Sequence, residues 1–357
     1  FPQGISPFEE RSEHDLRKSL QAAWQKTWSI INPYGASDVT AKVRIEPNVP
    51  DDTQITIAPR PESGIRLVVP KSVEPGVEPG QTIELRMDDA SGRFDFVNGK
   101  VAMRGVKFVF HGAPVEFAEG EVEVKDTGAF DLAVRELWVR DMKFDSGLRR
   151  IMPRLMAQFA HRLDDGNPFT ARGNLKIGWS GEPDDLAWCS WDQARVFFLG
   201  NSIRAGVPLE HIQGLLDQLS GSSNGRELEV DGIMDIKSVN FIGLQITELK
   251  GPIEVKQGVA RLKSVRGRLL GGELFGDGEI TLADEPHYQA SLRLTSGDLQ
   301  AYARSLPGHQ DFQGVVNARV EFNGRGADIR SMQGRGEGHI TEGDIGQLPM
   351  AFRFVKG

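Results

Sequence analysis

The string closest to a reactive site is Gly221-Ser-Ser223-Asn-Gly225, which fits the G-x-S-x-G spacing of a nucleophile elbow. An elbow needs a strand before the serine and a helix after it, so that the hydroxyl sits on a strained turn. Here the periodicity reads helix first and strand second, which makes the segment a polar linker. Asp164-Asp165-Gly-Asn167 suggests a calcium turn but lacks the alternating ligands and closing glutamate of a calcium loop, and reads as the turn that ends a helix. Seven histidines, His14, His111, His161, His211, His287, His309 and His339, form no H-x-x-x-H pair for a metal. The single cysteine, Cys189, excludes an intramolecular disulfide and a cysteine-based zinc cluster. Gly334-Arg-Gly336-Glu-Gly338 and Gly271-Gly-Glu-Leu-Phe-Gly276 lack the following helix and lysine of a phosphate cradle. Trp188, Cys189 and Trp191 cluster in a linking segment; a carbohydrate platform could use them, but packing between repeats is the simpler account. No acid/base pair emerges, so no enzyme activity, metal or cofactor is expected.

Composition narrows the partners. A net charge of -8 over 357 residues argues against a nucleic-acid groove, and no block of basic residues offers a polybasic membrane patch. No apolar run approaches the roughly 18 residues that span a bilayer. The 41 glycines sit at strand ends, as a turn-rich β protein requires. The chain starts without methionine and stops in mid-pattern at Phe352-Arg-Phe-Val-Lys-Gly357, which reads as a piece of a longer protein.

The elements follow from the period of the apolar residues. Residues 1–34 hold an amphipathic helix, with Leu16, Leu20, Trp24, Trp28 and Ile31 on one face and Pro33 as its stop. Residues 35–82 switch to period two and end in a Pro/Gly/Glu-rich linker. From there the chain states one pattern twice, 159 residues apart. Ile83-Glu-Leu85-Arg-Met87, Gly92-Arg-Phe94-Asp-Phe96, Gly99-Lys-Val101-Ala-Met103 and Val106 return as Ile242-Gly-Leu244-Gln-Ile246, Gly251-Pro-Ile253-Glu-Val255, Gly258-Val-Ala260-Arg-Leu262 and Val265. Gly112 and Gly271 keep the same offset, and Asp89/Glu248 is the nearest acidic match, read as solvated. The pattern predicts strand-turn-strand units. Gly120-Glu-Val122-Glu-Val124 matches Gly278-Glu-Ile280-Thr-Leu282 at offset 158, so one residue is lost after Gly112, which a bulge or turn can absorb. Short helices follow at Leu148 to Leu163 and Leu299 to Leu306. Return strands then match at offset 143, Asn174 with Asn317. The predicted organisation is a first repeat over 83–209, a helix and linker over 210–241 (Leu209, Ile212, Leu215, Leu216 and Leu219 at helical spacing), and a second, truncated repeat over 242–357. A stacked repeat of this kind implies an extended surface.

Along the strands, apolar residues fill one side and charged residues the other, which demands one dry and one wet face. The dry face carries Phe94, Phe96, Val101, Met103, Val122 and Val124 in the first copy. In the second it carries Ile253, Val255, Leu262, Ile280, Leu282, Leu292 and Leu294. Two fates are open to such a face: a sandwich core, or the lining of a groove that holds lipid acyl chains.

The segment Val265-Arg-Gly-Arg-Leu-Leu-Gly-Gly-Glu-Leu-Phe-Gly-Asp-Gly-Glu-Ile-Thr-Leu282 resembles the C-terminal region of the AsmA-like family. So does Val315-Asn-Ala-Arg-Val-Glu-Phe-Asn-Gly324 leading to Gln333-Gly-Arg-Gly-Glu-Gly-His-Ile-Thr-Glu-Gly343 and Leu348-Pro349, with Asp344 as a departure. The resemblance is strongest over 240–357. It implies a mainly β fold of tandem antiparallel repeats, an extended, twisted, taco-like β-groove with short rim helices. It implies a periplasmic protein of Gram-negative bacteria, anchored in the inner membrane by a segment outside this sequence. There it would bind or conduct phospholipid between inner and outer membranes, with outer-membrane or envelope proteins as further partners. The family brings no catalytic residues. The rival expectation is a closed-core scaffold for outer-membrane protein assembly.

Overall fold

The computed structural model describes residues 33–44, 52–70, 82–97, 100–125, 129–145, 148–149, 160–163, 166–180, 188–205, 207–224, 226–283, 285–305, 313–326 and 329–344. The expected helix within 1–34, most of that at Leu148 to Leu163, and Leu348-Pro349 lie outside the described residues. What is described is almost wholly β-strand, and every ladder whose register is described is antiparallel, as the period-two alternation requires.

The chain forms two compact units, one of residues 1–154, 170–194 and 222–226, the other of 155–169, 195–221 and 227–357. Strands of the first are β1 (Pro33–Tyr34), β2 (Ser37–Arg44), β3 (Asp52–Pro59), β4 (Gly64–Pro70), β5 (Thr82–Val97), β6 (Lys100–Phe110), β7 (Ala113–Val124), β8 (Phe130–Met142) and β9 (Phe169–Trp179). Besides β6, strand β5 serves two partners: β3 pairs along its 94–97 end and β4 along its 82–87 end. Ile57, Phe94, Phe96, Val101, Met103, Val106, Phe117 and Val134 form one buried cluster on a single face of these strands. Each such side chain contributes about 1.5–3 kcal/mol when fully buried. On the opposite face Asp95 is buried beside Thr56 and Arg93. Burial raises its carboxyl, yet the Thr56 hydroxyl (2.7 Å) and Arg93 guanidinium (2.9 Å) win and hold it below the ordinary range.

Strands β10 (Trp188–Ala205) and β11 (Val207–Ser223) follow, each supplying residues to both units. The second unit then continues as an up-and-down series: β12 (Leu228–Phe241), β13 (Leu244–Lys256), β14 (Val259–Leu269), β15 (Gly272–Thr281), β16 (His287–Asp298), the short helix α1 (Leu299–Ser305), β17 (Gln313–Arg325) and β18 (Gln333–Asp344). Helix α1 sits where the sequence places it, burying Leu299 and Ala303 with Tyr302 and Ile340 packed against them.

The 159-residue echo is written into the backbone. Asp89 and Glu248 both adopt positive φ (50° and 52°), as do Gly105 and Ser264 (56° and 52°) and His111 and Leu270 (48° and 54°). A Cβ on Gly92 would come within 2.9 Å of the Val106 Cα, and one on Gly251 within 3.0 Å of the Val265 Cα, so both copies need glycine for the same close approach. The matched asparagines also act alike. Asn174 Oδ1 accepts the amide of Glu136 (φ 53°) at 3.1 Å, and Asn317 Oδ1 accepts that of Ser296 (φ 55°) at 3.0 Å. A bulged residue leaves the ladder with an unpaired N–H, and a side-chain oxygen from the next strand takes it. The lost residue is located too. Gly105 faces Ala118 in the first copy, whereas Lys263 and Ser264 face Asp277 alone in the second.

Several expectations change. The strand-turn-strand units of 83–96 and 242–255 are not hairpins across Gly92 and Gly251: β5 and β13 run straight through them, bent by irregular pairing. The helix expected over Leu209–Leu219 is strand β11. His211 and Gln218 there have φ of 54° and 52°, and each stretches the apolar spacing from two to three (Leu209 to Ile212, Leu216 to Leu219), which mimics a helix. The remainder of the expected 210–241 linker is β12. Gly221-Ser-Ser223 closes a strand and another strand follows, so the order that rules out an elbow is strand-to-strand, not helix-to-strand. Trp188, Cys189 and Trp191 lie in β10, not a linking segment; Trp188 is 38% exposed and its indole covers Gly178.

Candidate functional site

Register decides which apolar side chains meet, because residues directly opposite in a ladder share a face. In the first unit Ile55, Phe96, Val101, Val122 and Leu132 stand in one cross-strand row, and Ile57, Phe94, Met103, Gly120 and Val134 in the next. Val124 pairs with Phe130 at the margin. All six expected lining residues of this unit share the face. Phe94, Phe96, Val101, Met103 and Val124 are buried and Val122 half-buried, so this face is a packed core.

The second unit differs. One row runs Val230, Val255, Ala260, Ile280, Tyr288, Gly324; the next Gly232, Ile253, Leu262, Gly278, Ala290, Phe322, Gly334. A third contains Val265, Gly276, Leu292, Val320 and Gly336. Leu294 pairs with Leu274, and Leu282 follows β15 with its amide bonded to Gly258 O at 2.7 Å. Val255, Leu282 and Leu294 are buried, but Ile253, Leu262, Ile280 and Leu292 are only half-buried and Val320 is 40% exposed.

This face is concave. The ring of Phe241, at the end of β12, lies 6.1 Å from that of Phe322 on β17, tilted by 30°. Five inter-strand steps separate these strands, about 24 Å in a flat sheet at about 4.8 Å per step. Two phenylalanine side chains can close that span only if the sheet curls toward its apolar side. The face is also low in relief, because glycine stands beside large residues in every row. A Cβ at Gly324 would overlap the Tyr288 hydroxyl, and one at Gly276 would come within 2.6 Å of a Leu292 methyl. The large side chains therefore lie over their glycine neighbours. Tyr288 is buried with its hydroxyl unpaired. Among the described residues of the three rows, no charged side chain stands on this face.

The opposite face holds the charge. Rows through Arg261, Glu279, Gln289 and Asn323 and through Asp277, Ser291, Glu321 and Arg335 flank an open trough of about 680 Å³. Its ions neutralise one another: Arg335 meets Glu321 at 2.6 Å, Arg261 meets Glu279 at 3.6 Å and Lys263 meets Glu254 at 3.2 Å, while the Gln289 amide donates to Glu279 at 2.7 Å. Arg335 hydrogen-bonds to Glu321 and Lys263 to Glu254, and these bonds hold both carboxyls below their ordinary range. In the first unit, burial pushes the Cys189 thiol up to about 11, which a backbone hydrogen bond from Ser223 only partly offsets. A thiol so protonated is a poor nucleophile. No group of three or more His, Cys, Asp or Glu suited to a metal occurs among the described residues. Among them, too, no helix is long and apolar enough to cross a membrane.

Compared with known protein families, curated proteins and solved structures, the chain matches none of them. Phe241, Tyr288 and Phe322 are absent from the lining that sequence reasoning expected. Tyr288 was legible as a strand residue, but the ring contact across five strands has no local signal.

Proposed function

We propose that the second unit binds phospholipid acyl chains along its concave apolar face and, as part of an envelope protein of the AsmA-like kind, conducts them across the periplasm without catalysing a reaction. The observation that carries this reading is the curled, uncharged face marked by the Phe241–Phe322 contact, with Ile253, Leu262, Ile280 and Leu292 only half-covered. Such a face favours hydrocarbon because each methylene removed from water contributes about 0.8 kcal/mol. It favours movement because the glycine-levelled rows offer no deep pocket to hold a chain in place. A headgroup left in water needs no dedicated residue, which agrees with the mutual pairing of the charges on the other face.

A second reading draws on the first unit. Its face is filled by Phe94, Phe96, Val101 and Met103, as a closed-core scaffold for outer-membrane protein assembly would be. Native mass spectrometry of the purified, detergent-free protein separates the two. Lipid conduction predicts co-purified phospholipid that Leu262→Asp depletes while the circular dichroism spectrum stays that of the parent. A monodisperse sample with no bound lipid refutes conduction and leaves the scaffold reading.

A further inference from the structure

Strand β18 has a bare outer edge. Its inner edge pairs with β17, from Gln313 opposite Asp344 to Asn323 opposite Gln333, and no ladder of described register engages the other side. Every residue from Gln333 to His339 is exposed. Sheet edges are commonly blunted by proline, lysine, a bulge or a charge pointing to the dry side. Over this stretch β18 has none of these. Its dry side carries only Gly334, Gly336, Gly338 and Ile340, and the bulge at Glu342 (φ 54°) lies beyond them. Such an edge is a template for another strand.

The neighbouring strand shows what fits it. Strands β17 and β18 carry the same R-x-E string, Arg319-Val-Glu321 and Arg335-Gly-Glu337. Run antiparallel, they set Arg319 opposite Glu337, Val320 opposite Gly336 and Glu321 opposite Arg335. The string is therefore complementary to its own reversed copy. Glu321 holds both arginines, at 2.8 and 2.6 Å, which leaves Glu337 with no ion pair among the described residues. The Arg335 side chain remains 86% exposed. Toward its open side β18 thus presents an exposed cation, an unclaimed anion and a level glycine between them.

We propose that this edge pairs with β18 of a second copy of the chain, antiparallel about a two-fold axis at Gly336. Arg335 then stands opposite Glu337 of the partner subunit, and Glu337 opposite Arg335 of the partner subunit. Opposite charges directly across a ladder are favourable, and residues so placed share a face, so wet joins wet and dry joins dry. The charges also fix the register. Sliding by two residues sets Arg335 against Arg335 of the partner subunit, or Glu337 against Glu337 of the partner subunit. Sliding by one turns the wet side of one copy to the dry side of the other. A two-fold uses the same patch on both copies, so assembly through it stops at two. The pairing does not depend on lipid conduction and holds for a scaffold as well.

The test is sedimentation equilibrium of the full chain, with cysteine crosslinking to read the register. The parent should form a discrete dimer that added salt weakens. Glu337→Gln leaves the chain's own ion pairs in place and should weaken the dimer about threefold to tenfold, since the axis removes two pairs at once. On the axis the two Gly336 Cα atoms stand about 4.5–5.5 Å apart, within disulfide reach. In a Cys189→Ala background, Gly336→Cys should therefore crosslink with diamide. Gly338→Cys, where a Cβ meets nothing within 4 Å, lies four residues along the ladder from its counterpart, about 13 Å. It should stay uncrosslinked. A monomer at the highest soluble concentration overturns the proposal; if its β18 amides also resist hydrogen exchange, the edge belongs to this chain's own residues beyond Asp344. A dimer that keeps its strength in Glu337→Gln overturns it too, as does one that crosslinks at 338 and not at 336.

Discussion

The asparagine clamps of the two repeats allow the duplicated backbone to be tested at a single hydrogen bond. Asn317→Ala removes the oxygen that accepts the Ser296 amide at 3.0 Å. Ser296 is exposed, so water can take the vacated N–H. The loss is then the net worth of one hydrogen bond, about 0.5–1.5 kcal/mol, and not the larger penalty of a stranded buried donor. Asn317→Asp keeps the acceptor and should stay within about 0.5 kcal/mol of the parent. Asn174→Ala should cost more, because that side chain also donates to Asp192 at 2.6 Å while it accepts the Glu136 amide. Asn174→Asp should not rescue, since it sets a carboxylate against Asp192. Urea unfolding followed by circular dichroism gives the free energies, and hydrogen exchange at the Ser296 amide gives the local readout. Equal effects of Asn317→Ala and Asn317→Asp, or unchanged exchange in Asn317→Ala, would refute the clamp.

Two further outcomes follow from packing and burial. Gly324→Ala places a Cβ where the Tyr288 hydroxyl now lies, and should destabilise the second unit by about 1–3 kcal/mol in urea unfolding; combined with Tyr288→Ala the two losses should add to less than their sum. Cys189, with its thiol pushed up to about 11, should react with a maleimide at pH 8 about a hundredfold more slowly than an ordinary cysteine, and at the ordinary rate once the protein is unfolded.

The alternation of apolar and charged residues made the β class readable; the constant 159-residue offset located Gly92/Gly251 and Gly112/Gly271, and the later offset of 143 located Asn174/Asn317, before their backbone roles were known. All six first-unit lining residues fall on one face because a period of two leaves them no other choice. Where a bulge intervened, the same rule failed. Across His211 and Gln218 an extra residue turns two-residue spacing into three, so a strand read as a helix. The fate of the dry face was beyond the sequence altogether. Phe94 and Ile253 occupy the same kind of position in the two copies, yet one is buried in a packed cluster and the other half-covered on a curled sheet. Local pattern sets which side a residue faces, since that depends on the pleat. Curvature sums small twists and bulges over many strands, so only the tertiary structure decides that Phe241 meets Phe322 and that the sheet between them curls.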